Sequence, residues 1–102
     1  MIDITVIELK KRMDDGEQLT IIDVREPWEY EEFNIGAQLV PLGELPNKLI
    51  EMEDYKDQEI ILHCKSGGRS GNAKLFMQAQ GFSRVRNLIG GMLDWKVQFP
   101  NG

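Results

Sequence analysis

The sequence predicts an α/β domain built around a mostly parallel sheet. Short apolar, β-branched runs alternate along the chain with segments of helical periodicity, which is the pattern of parallel strands joined by helices. The central run EIILHC is almost continuously apolar, as in a strand that is covered on both faces. The length of 102 residues suits one compact unit, so we expect a single domain over residues 1–102.

The first helix is predicted just after the N-terminus. Thr5 is placed to cap it, and Glu8, three residues further on, completes the pattern of a capping box. Ile4 and Leu9 have the spacing of a hydrophobic staple, and the helix should end near Gly16.

Two strands and two helices are predicted between residues 19 and 52. The run LTIIDV, residues 19–24, indicates a buried strand, and Pro27 suits the first turn of the short helix PWEYEEF. The run AQLVPL, residues 37–42, indicates a shorter strand closed by a proline. The segment LPNKLIEM indicates a helix with three apolar side chains on one face, namely Leu45, Leu49 and Met52.

The second half of the chain predicts two further strands, each followed by a helix. The strand EIILHC covers residues 59–64, and the helix over residues 70–80 has four side chains at helical spacing: Ala73, Phe76, Met77 and Gln80. Gly81 suits a left-handed C-cap in which Phe82 contacts Met77. The run RVRNL, residues 84–88, indicates the next strand, and the segment GGMLDWKVQF indicates the last helix.

Charge is divided unevenly along the chain. The net charge is −5, but residues 1–59 carry 16 acidic against 6 basic residues, whereas residues 60–102 carry 1 acidic against 6 basic residues. Most of these charges belong to solvated faces, yet the basic segment would also attract a small anion. Nucleic acid is a poor partner, because six basic residues are few and the overall balance is acidic.

Composition also bears on compartment and cofactors. The single cysteine cannot form an internal disulfide, no segment approaches the ~20 apolar residues of a membrane span, and the N-terminus lacks a signal-peptide pattern. We therefore expect a cytoplasmic protein that is not bound to a membrane. We also expect a monomer, because the segments predicted to be exposed are polar. One cysteine and one histidine make no ligand set for a metal, and we expect no cofactor.

The stretch CKSGGRS, residues 64–70, carries the reactive groups. Gly67 and Gly68 leave backbone amides uncovered for an anion, and the start of the following helix adds partial positive charge. Lys65 and Arg69 add full charges, so the Cys64 thiol should ionise more readily than an ordinary cysteine, whose pKa is about 8.5. Ligands of such folds bind beyond the carboxyl ends of strands, which makes Cys64 a candidate nucleophile.

The same stretch also has a purely structural explanation. A lone cysteine is most often a small buried hydrophobe, and Gly-Gly before a helix is often only a turn. The spacing bears on the cargo, because four residues separate Cys64 from Arg69, whereas cysteine phosphatases place five around a tetrahedral phosphate. The shorter ring suits the terminal sulfur of a persulfide or of thiosulfate better than a phosphoryl group.

Three stretches together resemble a known family. They are DVREPWEYEEFNIGAQLVPL at residues 23–42, CKSGGRS at residues 64–70 and GFSRVRNLIGGMLDW at residues 81–95. With these motifs in this order, the chain resembles a single-domain rhodanese, a thiosulfate sulfurtransferase. The resemblance implies a rhodanese-like three-layer fold, with a mostly parallel central sheet of about five short strands flanked by helices.

The resemblance also implies roles for individual residues. Cys64 would take the sulfane sulfur as a persulfide, cradled by the six residues that follow it: Lys65, Ser66, Gly67, Gly68, Arg69 and Ser70. Lys65 and Arg69 would favour thiosulfate or another anionic donor. Asp23 and Arg25 would support the loop from the end of the neighbouring strand, or else form only a surface ion pair at a turn.

The sequence departs from the family at one segment. Phe33 stands where the family often has histidine, and Asn34 replaces an isoleucine, which removes a possible polar contact but no sulfur acceptor. The only histidine, His63, would face away from Cys64 in a strand, so we expect a buried, hydrogen-bonded side chain rather than a catalytic base. Three further motif residues are expected only to pack the last helix, namely Gly90, Gly91 and Trp95.

Three functions remain open from the sequence. The first is an enzyme that moves sulfane sulfur from thiosulfate or a similar donor to cyanide, or to a thiol such as thioredoxin or glutathione, through a persulfide on Cys64. The second is a persulfide carrier or interaction module for a protein partner, docked through the acidic N-terminal half. The third is a small cysteine phosphatase or arsenate reductase, which the loop length disfavours.

Overall fold

The computed structural model of the chain describes residues 2–101. Over these residues helices and strands alternate in the order α1 (Val6–Asp14), β1 (Ile21–Asp23), α2 (Pro27–Glu32), β2 (Gln38–Leu39), α3 (Leu45–Ile50), β3 (Ile60–His63), α4 (Gly68–Ala79), β4 (Val85–Asn87) and α5 (Gly91–Gln98). Two short 3-10 turns, Leu42–Glu44 and Glu53–Tyr55, lie on either side of α3. None of the helices in this part of the chain has the length and apolar character needed to cross a membrane.

The strands form one parallel sheet in the order β2-β1-β3-β4. About five strands are expected from the sequence, and the described residues form four. Ile4 occupies the fifth position, beside β4, but only as a single parallel bridge to Leu88. This extended segment cannot lengthen toward its carboxyl end, because the next residue, Thr5, already caps α1.

Helices cover both faces of the sheet, which gives the expected three layers. One core cluster lies against α3 and α4 and includes Ile60, Leu62 and Cys64 of the β3 segment. The other lies against α1 and α5 and includes Ile61. Because side chains alternate along a strand, Cys64 faces α4 and His63 faces the opposite layer, as predicted.

The first helix begins with half of the predicted capping box. The Thr5 hydroxyl accepts a hydrogen bond from the Glu8 N–H at 3.1 Å. The Glu8 carboxylate lies 3.2 Å from the Arg86 guanidinium on β4, so an ion pair to the sheet takes the place of the return bond. The complete capping box of the chain is at α2, between Glu26 and Glu29.

Helix α4 starts at Gly68, two residues before the predicted start, and ends as the sequence predicts. Gly81 has a φ of 98°. The Phe82 N–H donates to the Met77 carbonyl at 3.0 Å, and the Gly81 N–H donates to the Gln78 carbonyl at 3.1 Å. These two bonds define a Schellman motif, which turns the chain back toward β4.

Candidate active site

Residues 64–67 join the carboxyl end of β3 to α4, and residues 68–70 begin that helix; residues 64–70 together are called the loop. Cys64 follows β3 directly and is only 1% exposed. Gly67 is the N-cap of α4 and has a φ of 111°, a backbone conformation that favours glycine. The tight turn places the first residues of α4 back over the Cys64 side chain.

Three donors of the loop converge on the Cys64 sulfur. The Gly67 N–H lies 3.1 Å from Sγ, the Ser70 N–H 3.4 Å and the Ser70 hydroxyl 3.3 Å. Burial acts to raise the pKa of the Cys64 thiol, but hydrogen bonds from Ser70 and from the amides of Gly67 and Ser66 outweigh it, so the pKa lies below its ordinary value. The loop therefore favours a thiolate at Cys64.

Two backbone hydrogen bonds join the first turn of α5 to the loop. The Met92 N–H donates to the Cys64 carbonyl at 3.0 Å, and the Leu93 N–H donates to the Lys65 carbonyl at 2.9 Å. In a trans peptide the N–H points opposite to the carbonyl, so these bonds turn the next two amides of the loop away from α5. The first turn of α5 thus helps to orient the loop amides.

Gly91 makes this contact possible. Its φ is 53°, and a Cβ at this position would lie 2.6 Å from the Cys64 carbonyl oxygen. The sequence predicts for Gly90, Gly91 and Trp95 only a packing role. Trp95 is indeed buried in the core, but Gly91 also allows the close approach of α5 to the loop.

Asn87, at the carboxyl end of β4, supports the loop from the other side. Its Nδ2 donates to the Gly67 carbonyl at 3.1 Å, and its Oδ1 accepts from the Ser70 hydroxyl at 2.5 Å. Its backbone N–H donates to the Asp3 carboxylate at 2.9 Å. Asn87 is absent from the residues predicted from the sequence, although a polar side chain at a strand end beside Cys64 is a usable signal.

Arg69 is paired with Glu29 of α2. Two hydrogen bonds of 2.7 and 2.8 Å join the guanidinium to both carboxylate oxygens. The Arg69 hydrogen bonds lower the pKa of Glu29 to about 2. The pair ties α4 to α2, and it means that the Arg69 charge next to the loop is largely balanced by Glu29.

Asp23 and Arg25 form a buried ion pair at the carboxyl end of β1. Their side chains are joined by hydrogen bonds of 2.8 to 3.0 Å, and the pair is buried rather than a surface pair. Arg25 also donates to the Phe33 carbonyl at 2.7 Å. These bonds fix the connection from β1 to α2 next to the loop, and they do not reach residues 64–70 directly.

Comparison with known proteins assigns the family. Residues 5–98 match the family model described as a rhodanese-like domain. The chain belongs to the rhodanese-like domain family. It is 40% identical over 94 residues to the Bacillus subtilis protein named "Putative sulfur carrier protein YrkF", covering 91% of the chain and 50% of that protein. It is 34% identical over 88 residues to a protein of Allochromatium vinosum named "Sulfurtransferase", covering 85% of the chain and 80% of that protein.

Solved structures agree with this assignment. The rhodanese domain superposes on the crystal structure of SSP1007 from Staphylococcus saprophyticus with a TM-score of 0.81 and 31% sequence identity, over 93% of each chain. The chain spans about half the length of YrkF and most of the length of the Allochromatium protein. The rhodanese family, as these names show, includes sulfurtransferases and sulfur carriers.

His63 differs from its predicted state in one respect. It is fully buried, as expected, but neither ring nitrogen has a hydrogen-bond partner among residues 2–101. Its Nε2 lies 3.7 Å from an Asp23 carboxylate oxygen, which is too long for a hydrogen bond. Burial lowers the pKa of His63 to about 4, so the imidazole is neutral near pH 7. Its side chain faces away from the Cys64 sulfur because neighbouring residues of a strand point to opposite faces of the sheet.

A small cleft lies beside the loop of the rhodanese domain. Its volume is about 100 Å³, and it is lined by residues of the β1–α2 connection, α2, the loop and α5: Arg25, Trp28, Glu29, Glu32, Lys65, Met92, Leu93 and Lys96. A larger cleft of about 550 Å³ lies near the amino end of β1, at the opposite edge of the sheet. Within the described residues no group of three His, Cys, Asp or Glu side chains could hold a metal ion.

Proposed function

We propose that this rhodanese domain is a sulfurtransferase that carries sulfane sulfur on Cys64. The observation that supports this most directly is the set of three donors around the Cys64 sulfur. Such donors stabilise a thiolate before reaction, and after reaction they are placed to stabilise a persulfide anion. A cysteine that served only to fill the core would need none of them.

The reaction divides into two displacements. The Cys64 thiolate attacks the outer sulfur of thiosulfate, the new S–S bond forms, and the old S–S bond breaks as sulfite leaves with the bonding electron pair. In the second step a nucleophile attacks the terminal sulfur of the Cys64 persulfide. The Cys64 thiolate then leaves with its electron pair, and the acceptor carries away the sulfur atom.

The proposed donor is thiosulfate or another small anionic sulfur compound, such as a persulfide. Lys65 is exposed at the start of the loop, where its charge would attract an anion. The proposed acceptor is cyanide in an assay and a thiol such as thioredoxin or glutathione in the cell. We place the reaction in the cytoplasm, where cysteines are kept reduced, and propose that the domain acts as a monomer.

Mass spectrometry of the whole chain tests this function. After treatment with thiosulfate we expect the mass to rise by one sulfur atom, and we expect added cyanide to remove that atom as thiocyanate. The Cys64→Ala variant should gain nothing under the same conditions. A wild-type chain that gains no sulfur, with Cys64 alkylating like an ordinary thiol at neutral pH, would contradict the proposal.

A second candidate function is a persulfide carrier that receives sulfur from a protein. The relative named as a sulfur carrier, 40% identical over 94 residues, favours this candidate. The two functions differ in their donors. Turnover with free thiosulfate supports the enzyme, whereas rapid loading from a persulfidated protein with poor thiosulfate turnover supports the carrier.

A further inference from the structure

The Ser70 hydroxyl faces two acceptors with a single proton. Its Oγ lies 3.3 Å from the Cys64 sulfur and 2.5 Å from Asn87 Oδ1. A serine hydroxyl has one O–H donor and two acceptor lone pairs. It can therefore donate to Cys64 or to Asn87 at any moment, but not to both.

The side-chain orientation of Asn87 is fixed by its other contact. The Gly67 carbonyl can only accept, so the atom 3.1 Å from it must be the donating Nδ2. The other end of the amide, Oδ1, then has to face Ser70. The Asn87 backbone is held by its N–H bond to Asp3, so the amide presents an acceptor to Ser70 throughout.

Two hydrogen-bond arrangements follow from the ionisation state of Cys64. With a thiol, the S–H donates to Ser70 Oγ and the Ser70 hydroxyl donates to Asn87 Oδ1. With a thiolate, the sulfur accepts only, and the Ser70 hydroxyl turns to it and leaves Oδ1. The change requires rotation of one hydroxyl and loss of the thiol proton to solvent. Ser70 Oγ and Asn87 Oδ1, which are 2.5 Å apart when hydrogen-bonded, then move apart because no hydrogen lies between them.

We propose that Asn87 is a positioning residue that competes with Cys64 for the Ser70 hydroxyl while it holds Gly67 against the sulfur. This inference rests on the proposed role of Cys64 as the nucleophile. In each transfer the negative charge leaves Sγ for the terminal sulfur of the persulfide and later returns. The Ser70 hydroxyl is thereby freed from Sγ, for Asn87 or for the terminal sulfur, and is recovered when the thiolate is regenerated. Asn87 thereby limits how strongly the Ser70 hydroxyl stabilises the thiolate, and the N–H groups of Gly67 and Ser70 are the donors that do not switch.

The charged groups around this arrangement are mostly paired. Arg69 of α4 is paired with Glu29 of α2, and Asp3, which faces Asn87, is paired with Lys74 of α4 at 2.6 Å. On the far side of β3 lie three buried groups, namely Asp23, Arg25 and His63. Lys65 is the exposed cation next to Cys64. None of these side chains hydrogen-bonds to the sulfur or to the Ser70 hydroxyl among the described residues.

The pH profile of Cys64 alkylation by iodoacetamide, a neutral reagent, tests the proposal. Asn87→Asp keeps an acceptor at Ser70, gives it a negative charge and removes the donor to Gly67. Both of these changes disfavour the thiolate. We expect alkylation below the midpoint of the profile to slow roughly tenfold, because a like charge this close raises the thiol pKa by about one unit or more. Asn72→Asp, which adds the same charge at an exposed position of α4, should slow it much less.

The Ser70→Ala background separates action through Ser70 from simple charge repulsion. In this background, Asn87→Asp should change the logarithm of the alkylation rate by less than half of the change that it causes in the wild type. An equal change in both backgrounds would overturn the proposal, as would equal effects of Asn87→Asp and Asn72→Asp. Circular dichroism checks that each variant is folded.

The wild-type chain provides a readout that does not depend on a folded Asn87 variant. In an NMR titration the side-chain amide of Asn87 should shift with the Cys64 ionisation, and this shift should shrink in Ser70→Ala. An Asn87 amide that does not titrate would contradict the proposal. Neither measurement needs sulfur transfer, so a chain that shows these profiles but gains no sulfur would contradict the proposed function alone.

Discussion

Gly67 and Gly68 are neighbours in the loop, but the structure uses them differently. Gly67 has a φ of 111°, and a Cβ there would meet Asn87 Nδ2 only at 3.8 Å, an ordinary contact. Its requirement for glycine is therefore conformational rather than steric. Gly68 lies inside α4, its φ is not positive, and a Cβ there would meet nothing within 4 Å.

A matched pair of alanine variants tests this difference. Gly67→Ala should lower the free energy of unfolding by about 1–2 kcal/mol, the cost of a left-handed backbone with a Cβ. It should also slow Cys64 alkylation, because the N–H that donates to the sulfur moves. Gly68→Ala should instead leave stability equal or raise it by about 0.4–1 kcal/mol. Urea unfolding measures both, and equal destabilisation by the two variants would contradict the assignment.

The sequence identifies the loop but not its supports. Cys64 and its glycines are adjacent in the chain, so their pattern can be read locally. Glu29 and Asn87 lie 40 and 17 residues away from their partners Arg69 and Ser70, and only the sheet order brings them together. Arg69 does indicate an acidic partner, because an arginine at the start of a helix is unfavourable to the helix dipole unless a carboxylate neutralises it.

Glu29 makes hydrogen bonds that stabilise both α2 and α4. Glu29 completes the capping box at the start of α2 and also receives both hydrogen bonds from Arg69 of α4. Arg69 lowers the pKa of Glu29 from its usual 4.5 to about 2. The carboxylate therefore contributes stability that is fully present above about pH 4.5 and is lost as the pH falls through about 2.

Glu29→Gln should remove this pH-dependent contribution. At neutral pH we expect a loss of free energy of unfolding on the order of 1 kcal/mol, because Arg69 is partly exposed and water can replace its partner. The gap between wild type and variant should shrink below about pH 4.5 and close near pH 2. Glu31→Gln, an exposed glutamate of the same helix, is the control and should show no such closing gap in urea titrations.

The helices and strands themselves were largely predictable. Apolar periodicity gave the type and order of the main elements, and Gly81 gave the end of α4 because only a left-handed C-cap explains it there. The start of α4 was misplaced by two residues, since Gly67 rather than the Arg69–Ser70 region caps it. The four strands agree with the prediction of about five, and the extended segment at Ile4 makes only a single bridge because the cap of α1 follows it directly.

The net charge of −5 opposes the proposed anionic donor, whereas the basic groups of the loop should attract it. At physiological ionic strength charges are screened beyond about 8 Å, so the groups nearest Cys64 decide. Two of the nearby cations, Arg25 and Arg69, are paired with carboxylates at 2.8 and 2.7 Å. Lys65 is exposed and has no ion-pair partner within residues 2–101. Lys96, another exposed cation that lines the cleft, lies over the Phe33 ring at 4.9 Å, whereas Lys65 adjoins Cys64 in the chain. Attraction of the donor should therefore depend mainly on Lys65.

Lys65→Gln should raise the KM for thiosulfate roughly fivefold, the equivalent of about 1 kcal/mol for one exposed charge contact in water. The variant should also weaken the fall of kcat/KM with added salt, because the charge that salt screens has gone. Arg84→Gln makes the same change in net charge at an exposed position next to the amino end of β4, at the opposite edge of the sheet from the loop. If the overall charge of the protein governed its encounter with thiosulfate, both variants would lose kcat/KM equally. A loss confined to Lys65→Gln would show that the loop attracts the donor.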